Sequence, residues 1–219
     1  MNRFLLPAIA LVAALGAAGW WFTNQQGDTP ATVATVTADG ALHTPQPLDF
    51  PLGNLDAPVT VIEYSSLTCP HCATFNQGVF RQIEEEFIDT GRILYIKREV
   101  YFDRPGLWAS MVARCGGGER YHGMLDLIYQ TQDHWAGTND PAEIANRLRR
   151  LGRQAGMSDE QVNACLEDGE KALELTEFYQ INAEADNIRS TPSFVINGTL
   201  YSNMSFADFS RILNEKLES

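Results

Sequence analysis

Val59-Thr60-Val61-Ile62-Glu63-Tyr64, followed by Ser65-Ser66-Leu67-Thr68 and then Cys69-Pro70-His71-Cys72, is the stretch from which the rest of the chain can be placed. Its first six positions are β-branched or aromatic apart from Glu63, the pattern of a buried strand. Phe75, Val79, Phe80, Ile83 and Phe87 come next at helical spacing, and Gly91 stands where a helix would stop. The spacing predicts a strand over Val59 to Ser66 and one long helix from Pro70 to Asp89. Pro70 suits the first helical position, where a missing N–H costs nothing. Cys69 then falls at the N-cap, facing unpaired N–H groups and the positive end of the helix dipole. A thiolate is favoured there over a thiol, and the thiolate is the nucleophile. His71 can lower the thiol pKa further through a hydrogen bond or its charge. Two cysteines three positions apart in this setting form a redox device.

Other roles for the pair fit less well. A structural zinc site needs four ligands, and no second Cys-x-x-Cys exists. Covalent haem attachment needs a histidine directly after the second cysteine, where this chain has Ala73. A purely structural disulfide remains open, as does a module using Cys69, Cys72 and His71 as ligands for copper(I) or zinc.

The residues Val61-Ile62-Glu63-Tyr64, the Cys-Pro-His-Cys run and the distant Thr191-Pro192-Ser193-Phe194-Val195-Ile196-Asn197-Gly198 resemble the thioredoxin-fold thiol–disulfide oxidoreductases of the DsbA type. Plain thioredoxins carry Gly-Pro between the cysteines, so the Pro-His pair is the specific part. The resemblance spans about Asp56 to Ser219 and is strongest at its two ends. It implies an α/β, thioredoxin-like fold with a helical insertion domain. It also implies that Glu63, six positions before Cys69 on an apolar strand, exchanges a proton with Cys72 during turnover. Thr191-Pro192 would be a cis peptide bond set against the motif to present backbone to substrate. The archetypal oxidase has valine in place of Thr191, and threonine is common in isomerases. The helix N-terminus and His71 both favour the Cys69 thiolate, so the expected activity is a dithiol oxidase; an isomerase or reductase kept reduced, supported by Thr191, is the alternative. His71 is expected to shift the Cys69 thiol more than Thr191 does.

Around this core, the chain of 219 residues suits one modest domain plus additional segments. A net charge of -12 and the lack of a basic block beyond Arg147, Arg149, Arg150 and Arg153 argue against nucleic acid. Phe4 to Phe22 is an uncharged run after Arg3, so residues 1–22 are expected to be a signal peptide or an uncleaved membrane anchor. Gly16-Ala17-Ala18 offers a cleavage site, whereas Trp20-Trp21 suits an outer membrane interface. Either outcome puts the catalytic part in the periplasm. Residues 23–50, polar and rich in Thr, Ala and Pro, read as a linker, with His43 solvated. So short a linker cannot supply a dimerisation domain, and a monomer is expected.

The thioredoxin-like domain is expected to comprise residues 51–103 and 188–219. Arg92 to Val100 reads as a second buried strand, parallel to the first. Ser193 to Ile196 runs into Asn197-Gly198, a two-residue hairpin signal, and Leu200-Tyr201 returns. Phe206, Phe209, Ile212, Leu213 and Leu217 close the chain as an amphipathic helix with Ser205 as N-cap. Residues 104–187 show helical steps throughout and read as an insertion of four or five helices. His122 and His134 lie there without metal-ligand spacing. Cys115 and Cys165, also in the insertion, form a leftover even pair of an exported chain and are expected to bond, as they do in a subgroup of the family. No cofactor or metal is expected. The implied partners are unfolded or partly folded exported proteins with free cysteines and a membrane redox protein that reoxidises the pair.

Overall fold

A computed structural model of the protein describes residues 43–219. The export or anchor segment and the linker up to residue 42 lie outside the described residues. Five strands form one sheet in the order β1-β3-β2-β4-β5. They are β1 (Leu52–Gly53), β2 (Val59–Ser65), β3 (Ile93–Glu99), β4 (Ser193–Ile196) and β5 (Thr199–Ser202). The β2 and β3 strands are parallel, with Val59 opposite Ile93 and Glu63 opposite Lys97. On the other side of β2, β4 runs antiparallel with Glu63 opposite Phe194. Asn197 and Gly198 both take positive φ, 44° and 78°, which is the twist a two-residue turn between β4 and β5 requires.

Alternation along the strands sorts their side chains between two faces. Val59, Val61, Ile93, Tyr95, Phe194 and Ile196 meet Phe75, Phe80, Phe87 and Phe209 in one core. Ile62, Tyr64, Leu94, Ile96 and Val195 pack on the opposite face with Ala183. Glu63 and Lys97 belong by register to the first face, beneath the helix that carries the cysteines.

The helix after the motif is broken where one helix is expected. It divides into α1 (Pro70–Gln77), α2 (Val79–Ile83) and a π-helical turn over Glu84–Ile88. The break falls at Gly78, whose φ of -120° and ψ of -86° are not helical. Glycine reaches such angles without a Cβ penalty. The Asp89 amide then bonds back to Glu84 at 2.8 Å, the i to i+5 bond of the π turn.

Six helical segments, one more than expected, separate β3 from β4. They are α3 (Arg104–Arg114), α4 (Gly118–Gln130), the single turn α5 (Gln132–Trp135), α6 (Pro141–Gln154), α7 (Asp159–Glu167) and α8 (Gly169–Ala185). Their common core holds Val112, Tyr121, Met124, Ile128, Trp135, Leu148 and Val162. Local chemistry sets the starts. Asp103 caps α3, Asp140 caps α6, Ser158 and Gln161 form a capping box on α7, and Asp168 caps α8. The last helix, α9 (Phe206–Leu217), starts from Ser205, whose hydroxyl accepts from the Asp208 amide.

The sequence reading of 43–50 as part of a linker needs correction. His43 is held by Asp186 at 2.8 Å, so it is not simply solvated. Gln46 donates to Asn182, and the buried Asp49 takes two hydrogen bonds from Arg98 at 3.2 and 2.8 Å. Arg114 donates to the Leu48 carbonyl, and His122 Nε2 to that of Phe50. This segment is a strap on the folded body. His134 lies exposed on α5, as a surface residue would.

Candidate active site

Cys69 sits at the N-cap of α1 with extended backbone angles, and Pro70 occupies the first turn. Cys72, one turn further, is fully buried, whereas Cys69 stays partly exposed. Both are free thiols here. The Thr191–Pro192 bond is cis, and it brings the Thr191 carbonyl within 3.6 Å of Cys69 Sγ, which donates to it. Residues 122 positions apart thus meet at one sulfur.

Burial raises the Cys69 pKa, but hydrogen bonds from the Thr191 side chain, the Cys72 amide and thiol and the His71 amide outweigh it, and the net direction is down. Cys72 goes the other way. Burial pushes its thiol well up, the Ser66 amide and Thr191 oppose this, and the charges on Cys69 and Glu63 add to the rise. The Ser66 amide donates to Cys72 Sγ at 3.4 Å. One turn of helix therefore separates a thiol that ionises readily from one that holds its proton. His71 is exposed and takes part through its backbone amide rather than its ring.

Beneath the pair, Glu63 is wholly buried. Its Oε2 accepts from the Tyr95 hydroxyl at 2.9 Å, and its Oε1 has no protein partner among the described residues. A buried carboxylate with an open oxygen is costly unless it has work to do. Lys97 stands opposite Glu63 in register, and burial lowers its pKa despite the nearby carboxylates of Glu63, Asp126 and Glu84. Its ammonium lies 3.4 Å from the centroid of the Phe80 ring. With the Asn76 amide turned to suit its neighbours, that side chain accepts from Lys97 at 3.0 Å and donates to Asp126 at 3.3 Å.

Sequence reasoning missed Tyr95, Lys97 and Gln132. Gln132 donates to the carbonyls of Leu67 and Cys69 and pins the loop before α1 to the insertion. Lys97 carried a signal weaker than that of Glu63, because it opens a run of three charges, Lys97-Arg98-Glu99, at the end of its strand. Gln132 carried none. The other pair, Cys115 and Cys165, is bonded, with Cα atoms 5.8 Å apart, and ties the end of α3 to α7. Among the described residues no cluster of three or more His, Cys, Asp or Glu side chains could hold a metal ion.

Fold and site together have the form of a thiol–disulfide exchange site, with an accessible sulfur, a buried partner and backbone presented beside them. A family model described as Thioredoxin matches residues 46–215. A protein-disulfide oxidoreductase of Rickettsia typhi is 35% identical over 171 residues, covering 78% of this chain and 62% of the relative. The chain thus spans about six tenths of the length of the Rickettsia relatives it matches. The crystal structure of alpha-DsbA1 from Wolbachia pipientis superposes with a TM-score of 0.73 at 26% identity, over 81% of this chain and 95% of that one. BdbD from Bacillus subtilis shares the fold, with a TM-score of 0.68 at 22% identity over 77% of this chain and 92% of that one. The chain belongs to the thioredoxin-fold, DsbA-like family of thiol–disulfide oxidoreductases.

Proposed function

We propose that the protein is a periplasmic dithiol oxidase that introduces disulfides into exported polypeptides. The observation that carries this reading is the opposed environment of the two sulfurs, with the Cys69 pKa lowered and the Cys72 pKa raised. In the oxidised enzyme a substrate thiolate attacks Cys69 Sγ. The Cys69–Cys72 bond breaks, and Cys72 leaves with the electron pair. Cys72 then takes a proton, for which Glu63 is the nearby donor. A second substrate thiolate attacks the substrate sulfur of the mixed disulfide and expels Cys69 as a thiolate. The substrate has lost two electrons and the enzyme holds them. A stabilised Cys69 thiolate favours the reduced enzyme, which makes its disulfide oxidising. Thr191 and Pro192 present backbone to the substrate segment, and Pro70 shapes the helix start. Cys115–Cys165 has a structural role.

A membrane oxidase accepting the electrons completes the cycle, and residues 1–22 direct or tether the catalytic part to the periplasmic side. Among the described residues no helix is long and apolar enough to cross a membrane. The reading is tested by trapping. A Cys72→Ser variant should accumulate mixed disulfides with cellular proteins, and Cys69→Ser should not. The wild-type pair should be found oxidised in cells. A pair trapped reduced would favour an isomerase or reductase.

A further inference from the structure

The helical insertion carries a concave site that the exchange chemistry leaves unused. Its lining begins at Arg104, the residue after Asp103. Thr68, the residue before Cys69, donates its hydroxyl to Asp103 at 2.8 Å, and a Cβ on Gly106 would stand 3.5 Å from that hydroxyl oxygen. From there the first turns of α3 and the loop entering α6 enclose a cavity of about 440 Å³ lined by Arg104, Pro105, Trp108, Asn139, Pro141 and Ile144.

Trp108 is half-buried, with its inner side on the core of the insertion and the Arg104 guanidinium 6.0 Å from its ring centroid. Phe102, just before the helix cap, is 60% exposed. Tryptophan and arginine are the side chains that most often carry binding energy in polypeptide contacts, and they do so in concave, desolvated places. Among the described residues Arg104 has no ion pair, so its charge is open to a ligand on a chain that is otherwise acidic.

We propose that this cavity is a docking subsite for the substrate polypeptide. An aliphatic or aromatic side chain of the substrate lies against Trp108, and a neighbouring carboxylate pairs with Arg104. A cysteine of the same segment meanwhile reacts at Cys69. The link from Cys69 through its neighbour Thr68 and the hydrogen bond to Asp103, the residue before Arg104, together with the unpaired cation, selects a substrate chain as the occupant. The proposal rests on the oxidoreductase reading and adds a sequence preference to it.

Two synthetic dithiol peptides test it with the full-length chain, one carrying Leu-Glu beside the reactive cysteine and the other Gly-Lys. Dithiothreitol serves as a substrate too small to reach the cavity. The readout is kcat/KM for each peptide relative to dithiothreitol. Wild type should favour the Leu-Glu peptide about tenfold, and Trp108→Ala should abolish the preference. Trp108→Phe should keep most of it, and Arg104→Glu should shift it towards the Gly-Lys peptide. Equal ratios for the two peptides in wild type overturn the subsite alone. So does a loss in Trp108→Ala that is proportionate for peptides and dithiothreitol. Dimers of the wild type that Trp108→Ala dissolves would assign the cavity to a second copy and also overturn it. Failure of wild type to exchange with dithiothreitol overturns the oxidoreductase reading and the subsite with it.

Discussion

Cys69 and Cys72 occupy one turn of helix, yet the difference between them comes from their neighbours. The strongest lowering influence on Cys69 is the hydrogen bond from the Thr191 side chain, ahead of the amides at the helix start. That reverses the order expected from the motif, in which the His71 ring leads. Thr191→Val should therefore raise the Cys69 pKa more than His71→Ala does. Thiolate absorbance of Cys69 across a pH titration measures both, and a larger rise in His71→Ala would refute the ordering. His122 offers a second residue-level test. Burial pushes its imidazole down from 6.5 to about 4, helped by the charge on Lys97 and opposed by the Phe50 carbonyl, Asp126 and Glu99. The unfolded chain binds that proton between pH 6.5 and about 4 while the folded protein does not. This contribution is thus fully present above the unfolded value and is lost as pH falls through that window, by at most about 3 kcal/mol. His122→Gln should flatten the dependence of denaturation midpoint on pH over that range. An unchanged slope would exclude His122 as its source.

At the scale of elements, the disulfide between the end of α3 and α7 closes a loop of 50 positions. On the chain-entropy account such a link stabilises by about 4 kcal/mol. Replacing Cys115 and Cys165 together by serine should lower the thermal midpoint and leave Cys69 alkylation kinetics unchanged. A variant that melts like wild type would show the link to be energetically idle. Much at this level was legible beforehand. The strands β2 and β3, the β4–β5 turn and the cap of α9 each follow from a local pattern of two to four residues. What escaped was decided by contact rather than by pattern. Gly78 interrupts an apolar period that continues across it unchanged, so Phe75, Phe80 and Phe87 look like one helix although the backbone breaks among them. Gln132 lies in the insertion and acts on a loop 63 positions away, a distance over which no sequence period speaks.

For the molecule as a whole, the strap over residues 43–50 shows the same limit. Its prolines and polar residues describe a linker, and Arg98, one of three consecutive charges on a buried strand, hinted at a missing partner. Arg98 finds Asp49 as well as Tyr64 and Asn182. Arg98 and Asp49 are both out of contact with solvent. Removing one member of such a pair strands the other and costs about 3–5 kcal/mol. Asp49→Ala should therefore shift the urea midpoint strongly. A shift within the range of ordinary surface substitutions would show that the strap is dispensable.

The central strand β2 is flanked by β3, which follows it closely in the chain, and by β4, which comes only after the entire insertion. A ribosome or a secretion channel delivers these pieces in order. Cys69 emerges long before Thr191, and for that interval β2 has one unsatisfied edge and Cys69 lacks its oxygen neighbour. A chain halted within the insertion carries the reactive sulfurs without the groups that tune and shield them. Competence is thereby tied to completion, because assembly of the second half of the sheet brings Thr191 to Cys69 in the same event that seals β2.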